Sequence, residues 1–280
     1  MNRWRLFAML LTAVAVLVGC ATLDERQRQW IFQPSDRSWG NLEAPADMAD
    51  AWIDFRSEAT GKATRLHGLW IEGEHADAPV LLYLHGARWN VVGSSFRVRH
   101  MQQLGFAVLA IDYRGFGKST SELPSEETAY EDARAAWDWL AARYPRRPRY
   151  IFGHSLGGAI AIDLASHVDD ERGTLVEGTF TSIHDVASSF RWGWLPVGPF
   201  ITQRFESSRK VAKIGSPLLV VHGTQDTLIK PELGRKLFDA AAEPKLFVEV
   251  EGGSHHNTNA IGQPQYRVAM QQLFGWPAVH

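Results

Sequence analysis

The chain has one cysteine in 280 residues, Cys20, so no intrachain disulfide can form and packing alone must hold the fold. It lacks a block of like charges. Its 29 basic and 31 acidic residues leave a net charge of −2, and no basic stripe marks a nucleic-acid partner. It has no internal repeat and no low-complexity tract. No spaced set of His, Cys, Asp and Glu has metal-ligand form, so neither a metal nor another cofactor is expected. A phosphate-binding loop is also missing: "GFGKS" (115–119) contains Gly-Lys-Ser, but Asp112 stands where such a loop requires its first glycine. Finally, no apolar run reaches the roughly 20 residues of a membrane span. The longest, Leu6–Val18, has 13 residues interrupted by Thr12.

What is present is core-forming material. Apolar residues make up 45% and charged residues 21%, the balance of a globular chain long enough for one large domain or two small ones. Eleven Trp suit a large apolar pocket or a membrane-facing surface as well as a core. The N-terminal stretch "MNRWRLFAMLLTAVAVLVGCATLDERQRQ" has a short basic region, Arg3 and Arg5, then the apolar run, then Gly19 and Cys20. That is the layout of a secretory signal. Its end, Leu17-Val18-Gly19-Cys20, resembles a bacterial lipobox. The resemblance implies residues 1–19 as a signal peptide, cleavage before Cys20, and acylation of Cys20 into a membrane anchor. With Ala21 after the cysteine, it implies a cell-envelope location, at the outer membrane facing the periplasm in a Gram-negative cell. A plain signal peptide or an uncleaved anchor is the alternative.

Residues 20–50 are polar and carry Pro34 and Pro45, and they read as a tether packing loosely on the domain at 51–280. "AWIDFRSE" (51–58) and "TRLHGLWIEG" (64–73) read as an antiparallel strand pair. Apolar runs then alternate with helical stretches. Strands are expected at 79–86, 106–115, 149–155, 173–180, 216–223 and 245–252, and helices at 94–105, 125–145, 156–168, 230–241 and 264–276. Runs apolar on both faces between helices predict an α/β fold, an eight-stranded, mostly parallel sheet covered on both sides. Ligands of such sheets sit beyond the carboxyl ends of the strands.

"IFGHSLGGAI" (151–160) places Ser155 in a Gly-x-Ser-x-Gly turn between a strand and a helix. Glycines let the chain turn sharply and let neighbouring backbone approach. A serine hydroxyl needs a base, and the base needs an orienting acid. The chain order this architecture requires is Ser, then Asp or Glu, then His. Asp226 follows the strand at 216–223, and His255 and His256 follow the strand at 245–252. Either histidine fits the base position. The Leu156 N–H, first in the helix, is placed to meet an oxyanion.

Taken together, "LHGARWN", "IDYRGFGKS", "GHSLGG", "VHGTQD", "EGTFTSIHDVA" and "GGSHHN" resemble the α/β-hydrolase superfamily, in its ABHD-type members, from about residue 50 to 276. The resemblance implies the α/β-hydrolase fold and serine-hydrolase chemistry on Ser155, Asp226 and His255, with His256 the alternative base. It implies Ala87 N–H as the second oxyanion donor, and it makes His85 and His154 scaffold. It also implies a short cap at about 181–214, where Trp192, Trp194 and Phe200 are candidate pocket walls, with Trp89 as a further one. The implied partner is a small-molecule acyl substrate, and carboxylesterase is the leading activity. A thioesterase, lysophospholipase or peptidase remains open, as does a non-catalytic envelope binding protein of this fold.

Overall fold

The run "PVLLYLHG" is apolar at successive positions because both of its faces are covered. In the computed structural model, which describes residues 3–34, 43–190 and 193–276, all five residues of its strand are buried. The strands are β1 (Ala49–Arg56), β2 (Ala63–Ile71), β3 (Val80–Leu84), β4 (Ala107–Ile111), β5 (Arg149–His154), β6 (Gly173–Glu177), β7 (Leu218–Gly223) and β8 (Lys245–Val250). They form one eight-stranded sheet in the order β1-β2-β4-β3-β5-β6-β7-β8. β1 and β2 pair antiparallel, β2 meets β4 antiparallel, and the remaining pairs are parallel. This is the α/β-hydrolase fold.

Alternate residues of each central strand serve different cores, as the period of two requires. Val80, Leu82 and Leu84 join Leu109 and Ile111 on one face, under α3 (Glu126–Arg143) and α4 (Leu156–Ala165). Leu81 and Tyr83 join Val108 and Ala110 on the other, under α2 (Ser95–Gln103) and a C-terminal helix, Gln263–Phe274. Helix α3 starts where the sequence lets it: Ser125 Oγ accepts the Thr128 N–H, and Thr128 Oγ1 accepts the Ser125 N–H. Its buried face of Ala129, Ala133 and Ala136 keeps it close to the sheet, with Trp137 filling the remaining space.

The tether expectation for residues 20–50 is corrected over its first part. Helix α1 runs Arg3–Phe32, and its final turns dock on the domain. Asp24, Gln27, Arg28, Ile31 and Phe32 recur at helical spacing on one face, and Phe32 is buried. The helix ends there because Gln33 turns left-handed (φ 47°) and Pro34 follows. Cys20 is exposed on α1. Among the described residues, no helix is long and apolar enough to cross a membrane.

The segment 181–214 holds α5 (Ile183–Ser188), a short 3-10 turn at Gly198–Phe200 and α6 (Ser207–Lys210). Trp192 lies outside the described residues.

The start of α4 presses on the end of β3. A Cβ on Gly157 would lie 2.1 Å from the Leu84 carbonyl oxygen and 2.5 Å from that of His85. Both are backbone atoms at the carboxyl end of the central strand, and neither can swing away. Gly157→Ala is therefore expected to destabilise the fold by about 2 kcal/mol or more. Urea unfolding followed by tryptophan fluorescence checks this, and a midpoint equal to wild type contradicts it.

Candidate active site

Ser155 lies between β5 and α4 with φ 56° and ψ −120°. For a residue with a side chain this conformation costs on the order of 1–3 kcal/mol, and the surroundings must hold it. They do so through backbone: Ser155 N–H donates to the Glu177 carbonyl (2.9 Å), and Ser155 O accepts from the Gly158 N–H (2.9 Å). Thr179 Oγ1 donates to the same oxygen at 2.9 Å. The turn packs against Gly86, whose Cβ would stand 3.1 Å from that of Ser155. Gly86 begins the loop that carries Ala87 and Arg88. Among the described residues, no backbone acceptor takes the N–H of Ala87 or of Leu156. Both residues, with Ser155, line one cavity of about 570 Å³.

Asp226 follows β7. Its Oδ1 accepts the N–H of Leu228 (3.0 Å) and Ile229 (2.8 Å), and its Oδ2 accepts from His255 Nδ1 at 2.8 Å. Burial alone would raise its pKa. His222 (3.4 Å from Oδ2), His255 and the Ile229 N–H outweigh that and hold the carboxyl well below the usual range. The bond to Nδ1 fixes the His255 tautomer and leaves Nε2 with the lone pair. His255 lines the cavity together with Ser155. His256 is exposed and stands edge-on to His255 at 5.4 Å. The structure thus brings Asp226 to His255 rather than to His256.

A second network lies beneath the histidines. Arg97 of α2 is 5% exposed. Its Nη2 donates to the carbonyls of His255 (3.3 Å) and His256 (3.1 Å), and its Nε donates to Glu177 Oε1 (3.3 Å). Tyr266 OH donates to Glu177 Oε2 at 2.5 Å. His154 Nε2 donates to His255 O at 2.9 Å, with Arg97 Nη2 beside it at 3.1 Å. Burial first, then the Arg97 charge, pushes the His154 pKa well down, so that ring is neutral scaffold. His85 is also fully buried and held neutral by burial, with Nδ1 donating to Gly86 O at 2.7 Å.

The expected reading missed Arg97, Glu177 and Tyr266. Two signals were available: an arginine on the face of α2 that also carries Val98 and Met101, and a glutamate closing the apolar strand "GTLVE". It also missed Trp30, Ile31 and Gln33, which bring α1 to the cavity wall.

The pocket-wall expectation is corrected in part. Trp89 lines the cavity, but Trp194 and Phe200 do not, and they stand 74% and 64% exposed. The wall from this segment is Ile183, Val186 and Ala187, on one face of α5, with Phe190 just past the helix end. Among the described residues, none from 193 to 214 lines it.

The family model for serine aminopeptidase, S33, matches residues 75–205. An uncharacterised Mycobacterium tuberculosis protein is 32% identical over 271 residues, 93% of this chain and 92% of that one. The lysophosphatidylserine lipase ABHD12 of Danio rerio is 34% identical over 209 residues, 64% of this chain and 54% of that protein. The chain thus spans about half the length of that relative. The Pyrococcus furiosus esterase Pf2001 superposes with a TM-score of 0.67 at 20% identity, over 86% of this chain and 99% of that one, and shares the fold. The sheet and the hydrolase family model over residues 75–205 together support membership of the α/β-hydrolase superfamily.

Proposed function

We propose that the protein is a carboxylesterase that works through an acyl-enzyme on Ser155. The observation that carries this reading is the Asp226–His255 hydrogen bond, 2.8 Å long, on a cavity whose wall includes Ser155 on its left-handed turn. His255 Nε2 takes the hydroxyl proton as Ser155 Oγ attacks the acyl carbonyl. Asp226 orients the ring and balances the imidazolium. The N–H groups of Ala87 and Leu156 stabilise the oxyanion. His255 then returns the proton to the leaving alcohol, and water releases the acid by the reverse steps. The apolar wall of Trp89, Phe180, Ile183, Val186 and Phe190 suits an acyl chain, and the short cap favours short to medium ones.

One observation favours a second reading, a lysophospholipase. Arg88 is exposed and stands on the cavity wall, where a cation would meet an anionic headgroup. The Danio rerio relative's name is in line with this.

The chain is also a lipid-anchored envelope protein on this proposal, cleaved before Cys20. The basic-then-apolar N-terminus and the exposed Cys20 support it. In a bacterial host, Cys20→Ser is expected to abolish acylation and leave soluble or unprocessed protein. Membrane partition equal to wild type counts against the anchor.

The nucleophile is tested by a fluorophosphonate probe and a panel of p-nitrophenyl esters of rising chain length, with lysophospholipids alongside. Wild type is expected to label and hydrolyse, and Ser155→Ala to do neither. Equal labelling of both proteins would remove the serine mechanism. Faster turnover of lysophospholipids than of simple esters would decide for the second reading.

Asp226→Asn is expected to lower kcat by a factor on the order of 10⁴, because an amide cannot both keep the tautomer and balance an imidazolium. The same carboxylate gives stability a pH dependence. Its folded pKa lies below the unfolded value of roughly 3.9, so the unfolded chain binds more protons between the two. The contribution is complete above about pH 5 and is lost as pH falls toward the folded value. Acid titration of the urea midpoint should fall more steeply for wild type than for Asp226→Asn. Parallel curves would refute the role of that carboxylate in stability.

A further inference from the structure

Helix α1 ends against the loop that carries Ala87. A helix leaves its last carbonyls without partners inside it. Here the Phe32 carbonyl accepts the N–H of Arg88 at 2.9 Å. Arg88 holds φ 77°, a left-handed conformation for a residue with a side chain, so the loop needs an outside partner to keep it. The peptide fixed by this bond is the one directly after Ala87.

The end of α1 is itself firmly placed. The Phe32 ring is fully buried and meets Phe205 edge-on at 5.8 Å. Arg28 Nε donates to Pro124 O at 2.9 Å. Gln27 Oε1 accepts the Thr202 N–H at 2.9 Å, and Gln203 Nε2 donates to Asp24 Oδ1 at 2.9 Å. Ile31 and Trp30, beside Phe32, line the cavity that holds Ser155. A helix that only strapped the domain would have no need to reach this loop.

We infer that the last turn of α1 belongs to the active site, with Phe32 as a positioning residue whose carbonyl holds the Gly86–Ala87–Arg88 loop in its oxyanion-binding form. This rests on the proposed use of the Ala87 N–H. The segment that begins at Cys20 then orders the catalytic loop, and the state of α1 is read out as turnover.

The test uses the full chain, with p-nitrophenyl acetate as substrate and the fluorophosphonate as probe. Phe32→Ala keeps the carbonyl but frees the turn. It is expected to lower kcat about tenfold or more, part of the 10²–10³ that loss of an oxyanion donor costs. KM should stay within about twofold, and labelling of Ser155 should slow in parallel, because the loss falls on the transition state. Phe32→Leu should restore most of the rate. An unchanged kcat in folded Phe32→Ala overturns the inference, as does an equal loss in Phe32→Leu and Phe32→Ala. If Phe32→Ala does not fold, the double substitution Gln27→Ala, Arg28→Ala loosens the same helix through half-buried polar contacts. It is expected to lower kcat at constant KM, and an unchanged kcat overturns the inference again. Wild type that neither labels nor hydrolyses would instead remove the serine-hydrolase reading itself.

Discussion

The contact between Arg97 and Glu177 ties the two halves of the site together. Glu177 closes β6, and its backbone carbonyl accepts the Ser155 N–H at 2.9 Å, which helps hold the strained turn. Its carboxylate, 3.3 Å from Arg97 Nε, holds the guanidinium in place. Arg97 in turn donates to the carbonyls of His255 and His256. The Ser155 turn after β5 and the histidine loop after β8 are therefore referenced to one residue. Both ions are buried, so removing either partner would leave an uncompensated charge, a loss of about 3–5 kcal/mol. Tyr266, from the helix Gln263–Phe274, also donates to this carboxylate, so that helix is part of the same frame.

From this frame the remaining geometry follows. Ser155 cannot relax out of its left-handed conformation while its N–H and carbonyl are both held. The loop of His255 and His256 cannot drift while both carbonyls are taken by a buried cation. The third side, the loop after β3, takes its support from elsewhere: Val91 N–H donates to Asp112 Oδ1 at 2.8 Å, and Arg88 N–H donates to the end of α1. The cavity thus has two walls fixed by the sheet and one whose fixing partners include an N-terminal helix.

Much of this was legible in the sequence, for a physical reason. Central parallel strands are covered on both faces, so they appear as unbroken apolar runs such as "FAVLAI". The strands' carboxyl ends were read too long: β3 stops at Leu84, β4 at Ile111, β6 at Glu177 and β8 at Val250, because the residues that follow leave the sheet for the loops beyond its edge. The strand-end positions of Ser155, Asp226 and His255 were readable because each follows an apolar run at a glycine-containing turn. The docking of α1 was not readable, because ahead of Ile31 and Phe32 its contacts are made by Asp24, Gln27 and Arg28, and a polar helix face reads as solvated. Aromatic richness in 188–205 announced apolar surface but not its direction, so Trp194 and Phe200 were misassigned. The spacing of Ile183, Val186 and Ala187 carried the direction. The pairing of Arg97 with Glu177 spans 80 positions, and no local pattern encodes it.

The same frame sets the field at the imidazole. Asp226 touches the His255 ring itself at Nδ1, whereas Arg97 touches only that residue's carbonyl and has its own counterion at 3.3 Å. Opposite charges held that close cancel much of each other's field at a third group. The charge left to act on the ring is that of Asp226, which stays ionised far below neutral pH. Without Glu177, the Arg97 cation beneath the ring would oppose the imidazolium. A buried ion pair adds little to stability compared with apolar packing, so the gain from this one lies in where it puts the histidine loop and in the charge it conceals.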